Sequence, residues 1–259
     1  VIPRPVQMAA QPLRAGALDL GAPQCTPLTI ERRLDRSCCW RMIASMRSPI
    51  RPASRLSAPA LTGPDPYALK FPVVALVSSL GGLDAVSQVL APLPAELPAA
   101  LLVVQHLNPD QPSHLAHVLD RRTALSVRPA VNGDELVMGT VLVAPPARHL
   151  LVTSEARIGL IESGALPPWR PSADLLLATL AVTCGPRALA VVLTGKGHDA
   201  QAGIRAVCHC GGTVLAQDPA SSAHFGMPAA AISTDLVDRV LALPDIAGAI
   251  HAHVHRYRR

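Results

Sequence analysis

A chain of 259 residues with 49% hydrophobic and 16% charged residues is long enough to bury a large core and too apolar to be disordered throughout. No apolar run approaches the roughly 20 residues a membrane span requires, and the N-terminus lacks the apolar block and small-residue cleavage site of a signal peptide, so no membrane insertion and a cytoplasmic location are expected. The net charge of +5 is unevenly placed: residues 1–70 carry nine arginines and one lysine against four acids, a net of +6, so the remainder sums to −1 and argues against nucleic acid as a partner.

Residues 1–70 hold ten of the 26 prolines and no sustained period. The stretch "MRSPIRPASRLSAPALTGPDP" reads as a solvated linker, and "TIERRLDRSCCWRMIASM" carries a short helix signal with Thr29 as its cap. We expect a disordered Pro/Arg-rich arm and linker over 1–70, with contact to an acidic partner as its functional alternative. We expect one folded domain over 71–259, which removal of residues 1–66 should leave cooperative.

From Phe71 onward strand and helix signals alternate. "VVALV" is a buried strand and "LDAVSQVLAPL" has helical spacing. "ALLVVQ" is a second buried strand, followed by "PSHLAHVLDRR", a helix opening on proline. Two-residue alternation in "TVLVAP", "HLLVT" and "ARIGLI" predicts a small antiparallel excursion. "PSADLLLATLAVTCG" is a long helix stopped by glycine, "ALAVVLT" a strand, "AQAGIRAVCHCGG" a helix and "TVLAQ" a strand. "VDRVLAL" and a final helix, "PDIAGAIHAHVHR", close the chain. Continuous apolar strands alternating with helices predict a doubly wound α/β fold, with a mostly parallel sheet covered on both faces.

Sites in such sheets gather beyond the carboxyl ends of the strands. That rule selects Ser78-Ser79 after the first strand, Gln105-His106 after the second, and "TGKGHDAQAG" with His198 and Asp199 after a later one. A serine, a histidine and an acid are the parts of a nucleophile–base–orienter system. Gly81 and Gly82 let a carbonyl approach closely and turn the helix N-terminus toward developing negative charge. Each part alone has a plainer reading: the serine as an N-cap, His106 as a core or loop histidine, Asp199 as the cap of the following helix. Spacing alone leaves both readings open.

The six cysteines show no metal-type paired spacing, and Cys208-His209-Cys210 reads as a helix end with thiols, so no metal and no cofactor are expected. His251, His253 and His255 alternate at i, i+2 and read as a solvated tail.

From about Pro72 to Ala242 the chain resembles the catalytic domain of the chemotaxis protein-glutamate methylesterases, the CheB type. The resemblance rests on "SLGG", "QHLNPDQPSHLAHVLDRR", "APPARHLLV", "RPSADLLLATLA", "VVLTGKGHDAQAGI" and "AQDPASSAHFGMPAAAI", in family order and with family-like spacing. It implies hydrolysis of glutamate methyl esters on the cytoplasmic helices of chemoreceptors, and deamidation of receptor glutamines. It also implies Ser79 as nucleophile, His106 as base and Asp199 as orienter. The backbone at Lys196 and Gly197 would face the oxyanion, and Gly226-Met227-Pro228 would form a tight turn beside the site. Arg148 and His149 are candidates for the site mouth, and Arg170 for contact with an acidic receptor helix.

Four departures stand against the family pattern. Val77 occupies the place of a glycine in the family's first turn, and a β-branched residue there would be costly if that position needs positive φ. Leu80 replaces a small residue, Lys196 replaces methionine, and the receiver domain usually fused ahead is missing from the sequence given. The alternative to an esterase is therefore an inactive, methylesterase-like module that docks on a receptor or signalling partner.

Overall fold

The computed structural model describes residues 67, 69–163 and 171–257. The arm and linker expectations for residues 1–66 and Arg170 lie outside them. Along the chain the elements are β1 (Val73–Ser78), α1 (Gly82–Leu90), β2 (Ala100–Gln105), α2 (Leu115–Asp120), β3 (Ser126–Pro129), β4 (Thr140–Val143), β5 (Arg148–Val152) and β6 (Ile158–Glu162). They continue with α3 (Ala173–Cys184), β7 (Ala188–Val192), α4 (Gln201–His209), β8 (Thr213–Gln217), α5 (Gly226–Ile232), β9 (Arg239–Leu241) and α6 (Leu243–His255).

Seven strands form one sheet in the order β3-β4-β2-β1-β7-β8-β9, with every pairing parallel. β1 occupies the middle, its neighbours being β2 and β7, so strand order reverses between β1 and β7. Alternate side chains of β1 enter opposite layers. Val73, Ala75 and Val77 pack with Leu176, Leu177 and Leu180 of α3, while Val74 and Leu76 pack with Val86 and Val89 of α1 and Ile250 of α6. The doubly wound fold expected from the sequence is the fold observed.

Individual elements differ from expectation. The alternation in "TVLV" belongs to β4, which is paired on both sides within the main parallel sheet, so the antiparallel excursion is β5 with β6 alone. β3 carries no strand signal in the sequence because it is an edge strand in which only Val127 is buried. α2 begins at Leu115 rather than at Pro112, because the Ser113 hydroxyl takes the Leu115 N–H at 3.2 Å in a local turn. The C-terminal histidines are not a solvated tail. They stand on α6, where His253 is buried and His251 and His255, four residues apart, share a face.

Val77 is the departure the structure accounts for most fully. It lies in β1 in register with Val104 and Val192, has no positive φ, and is fully buried in the layer beneath α3. The left-handed residue of the turn is Gly81, at φ 81°. Glycine is therefore not needed at 77, and a valine there fills core. Val77→Gly should lower stability by roughly 2–4 kcal/mol, from lost burial plus backbone entropy, with no gain in activity. Chemical denaturation checks this, and an unchanged midpoint would contradict it.

Candidate active site

The ends of β1, β2 and β7 are tied together by main-chain bonds. The Ser79 N–H donates to Thr194 O just past β7 at 3.0 Å, and the His106 N–H donates to Ser78 O at 3.1 Å. The Gly82 N–H closes the first turn on Ser79 O at 2.9 Å, and Gly81 caps α1 in left-handed conformation. The two serines of this turn part company. Ser78 is fully buried, with its hydroxyl against Gly82, where a Cβ would stand 2.4 Å from Oγ. Ser79 is partly exposed beyond the strand end.

Gly195 lets the β1 and β7 turns touch. A Cβ there would meet Met227 Sδ at 2.5 Å and Ser79 Cβ at 2.8 Å, so any side chain would displace the serine. Met227 is itself fully buried at the start of α5, and its N–H is engaged by Gly195 O at 2.9 Å. Lys196 is exposed and Gly197 sits at φ 91° in the same loop. Leu80 is half exposed beside Ser79.

His106 Nε2 donates to Asp199 Oδ2 at 2.9 Å, with the two side chains 10% and 2% exposed. Asp199 does not cap the helix that follows it in sequence alone. Its carboxylate also sits on the N-terminus of α3, accepting from the N–H of Ala173 at 2.7 Å and of Asp174 at 3.0 Å, besides that of Ala200 at 3.0 Å. Burial pushes the Asp199 carboxyl upward, but the hydrogen bonds from His106, Ala173 and Asp174 outweigh it and hold the group below the usual carboxylate range. The helix dipole acts in the same direction. Neighbouring Asp174 moves oppositely: burial raises it against the Gly203 N–H, with the Asp199 charge adding to the rise.

The α3 terminus is held in turn. The Ser172 hydroxyl caps the Leu175 N–H, and the Ser172 N–H donates to Nδ1 of buried His149 at 3.0 Å. The sequence marked a helix start at Ser172 without showing that this start faces Asp199. Only the crossing of α3 over the sheet brings residues 172–174 to the site. Arg148 is drawn instead into an exposed ion pair with Glu162 at 3.6 Å. Among the described residues no group of three or more His, Cys, Asp or Glu side chains is placed to hold a metal, and no helix is long and apolar enough to cross a membrane.

The family model described as CheB methylesterase matches residues 74–250, a span that contains Ser79, His106 and Asp199. The chain belongs to the CheB methylesterase family. Its fold is similar to the crystal structure of the Thermotoga maritima CheB methylesterase catalytic domain, with TM-score 0.68 and 32% identity over 71% of this chain and 99% of that one. Among curated relatives, a protein-glutamate methylesterase/protein-glutamine glutaminase of Moorella thermoacetica is 45% identical over 70% of this chain and 44% of its own length. The protein-glutamate methylesterase FrzG of Myxococcus xanthus is 36% identical over 94% of this chain and 72% of its own. The chain thus spans less than half of the first of these relatives, and its likeness to the solved structure covers a catalytic domain.

Proposed function

We propose that this CheB-family chain is a serine hydrolase that demethylates glutamate methyl esters on the cytoplasmic helices of chemoreceptors and deamidates receptor glutamines. The observation that carries the reading is the His106–Asp199 pair, anchored on the α3 N-terminus and tied through main chain to the turn that bears Ser79.

Ser79 is the nucleophile in this reading. Asp199 holds His106 through Nε2, so Nδ1 is the nitrogen that takes the Ser79 proton as Oγ attacks the ester carbonyl. Backbone at Gly81 and at Lys196–Gly197 borders the oxyanion. Gly82 and Met227, whose N–H groups close turns, shape that border. Collapse of the tetrahedral intermediate breaks the bond to the methoxy oxygen, His106 returns the proton, and methanol leaves. Water then attacks the glutamyl-serine ester with His106 again as base, freeing glutamate and the Ser79 hydroxyl. With glutamine as substrate the leaving group is ammonia. Neither route calls for a metal or cofactor. Residues 71–259 form the catalytic domain, the protein acts in the cytoplasm, and the basic segment 1–70 serves as an arm for an acidic partner.

Incubation with receptor carrying radiolabelled methyl esters tests the reading through volatile methanol. Wild type should release it. Receptor binding without methanol release would replace the enzyme with a docking module.

A further inference from the structure

At the end of α6, away from the candidate active site, His251 and His255 bring their Nε2 atoms to 2.9 Å, with ring centroids 4.1 Å apart. α6 returns antiparallel to the strands, so its last turn lies beyond their starting ends. Val254 and Tyr257 line a groove there with Phe71 and Pro72 before β1 and Leu97 and Pro98 before β2. The Tyr257 hydroxyl reaches Pro186 O, ahead of β7, at 2.6 Å. Ser79 and His106 stand at the other end of the same strands.

The geometry points to a surface site for a divalent transition metal, chelated by Nε2 of His251 and Nε2 of His255. Neutral imidazole is a ligand of intermediate softness suited to copper, nickel and zinc. Metal–imidazole bonds are about 2.0–2.1 Å long, so two nitrogens 2.9 Å apart subtend about 90° at the metal, the angle between neighbouring ligands of a square-planar or octahedral ion. A tetrahedral ion would ask for about 3.3 Å, which a small ring rotation supplies. The rings already meet in a hydrogen bond between these nitrogens, and a metal would replace the shared proton without reordering the helix. Four-residue spacing on a well-packed helix fixes this approach: buried His253 holds the opposite face against the protein and buried Val254 the flank, while His251 stays exposed. No third protein ligand is placed nearby among the described residues, so water completes the coordination. The expected order of affinity is copper(II) above nickel(II) and zinc(II).

Titration calorimetry with nickel(II) chloride on the whole chain tests the site. Nickel is preferred to copper(II) because copper oxidises thiols, and comparison of variants separates the histidine pair from the cysteines. Wild type should bind one equivalent that His251→Ala and His255→Ala each weaken by more than about tenfold. Because the pair is formed only in the folded helix, nickel should also raise the thermal midpoint of wild type and not of His251→Ala. The proposal is overturned if wild type binds no nickel below about 1 mM. It is equally overturned if both variants bind and are stabilised as wild type is.

Discussion

Ser79→Ala should lower ester hydrolysis by several orders of magnitude, on the order of 10⁴-fold or more, while Ser78→Ala leaves it largely intact. The contrast follows from where the strand ends. Ser78 is the last residue of β1, and its hydroxyl is buried against Gly82 with no hydrogen-bond partner among the described residues. Removing a buried hydroxyl that has no partner is neutral or stabilising, so Ser78→Ala should match or exceed wild type in thermal midpoint. Ser79 is held by its main chain, through its N–H to Thr194 O and its carbonyl from the Gly82 N–H, so replacing its side chain should leave the turn intact. Loss of activity in Ser79→Ala at unchanged stability is the expected result. His106→Ala added to Ser79→Ala should change little further, because the groups act as a unit. Methanol release assays with melting curves on the same preparations check all three, and activity lost in Ser78→Ala but kept in Ser79→Ala would move the nucleophile by one residue.

Asp199→Ala should harm activity and stability together. Without the carboxylate, His106 loses the group proposed to fix its tautomer, a change worth about 10⁴-fold in a serine protease. The same substitution strands the N–H groups of Ala173, Asp174 and Ala200, two of them at the first turn of α3. Buried donors without acceptors cost about 1–3 kcal/mol each, and some water will enter, so a loss of about 3 kcal/mol in all is expected. Asp199→Asn keeps the volume and an acceptor oxygen. It should recover much of the stability and little of the activity. The pH dependence has a definite sign. The Asp199 carboxyl is lower in the folded protein than in the unfolded chain, so its charge stabilises the fold above the ordinary aspartate value of about 3.9, and that contribution is lost as pH falls through the lowered folded value. Acid unfolding of Asp199→Asn should lack this part of the slope, and identical acid profiles for variant and wild type would contradict the assignment.

The architecture was legible because the buried strands are continuous apolar runs: "VVALV", "ALLVVQ" and "ALAVV" are each covered on both faces, which their composition announces. β3 was not, since an exposed edge strand has no such run. Ser79, His106 and Asp199 stand out in the sequence as candidates because they follow strands, a local property. The α3 terminus under Asp199 was not, because residue 172 and residue 199 meet only through the crossover. Val77 was misjudged for a related reason: its place in a motif suggested a turn, whereas its backbone still belongs to the strand, and the turn's positive φ falls at Gly81. The pair His251–His255 was hidden by counting neighbours two apart when the helix sets the period.

Whether Ser79 is an activated nucleophile can be read without any receptor. A sulfonyl fluoride reacts with a serine hydroxyl only where a base takes its proton, and fragmentation mass spectrometry distinguishes Ser78 from Ser79. A single adduct is expected on Ser79, failing to form in His106→Ala and forming far more slowly in Asp199→Asn. An adduct on Ser78, or labelling of Ser79 that is as fast in His106→Ala as in wild type, would contradict it.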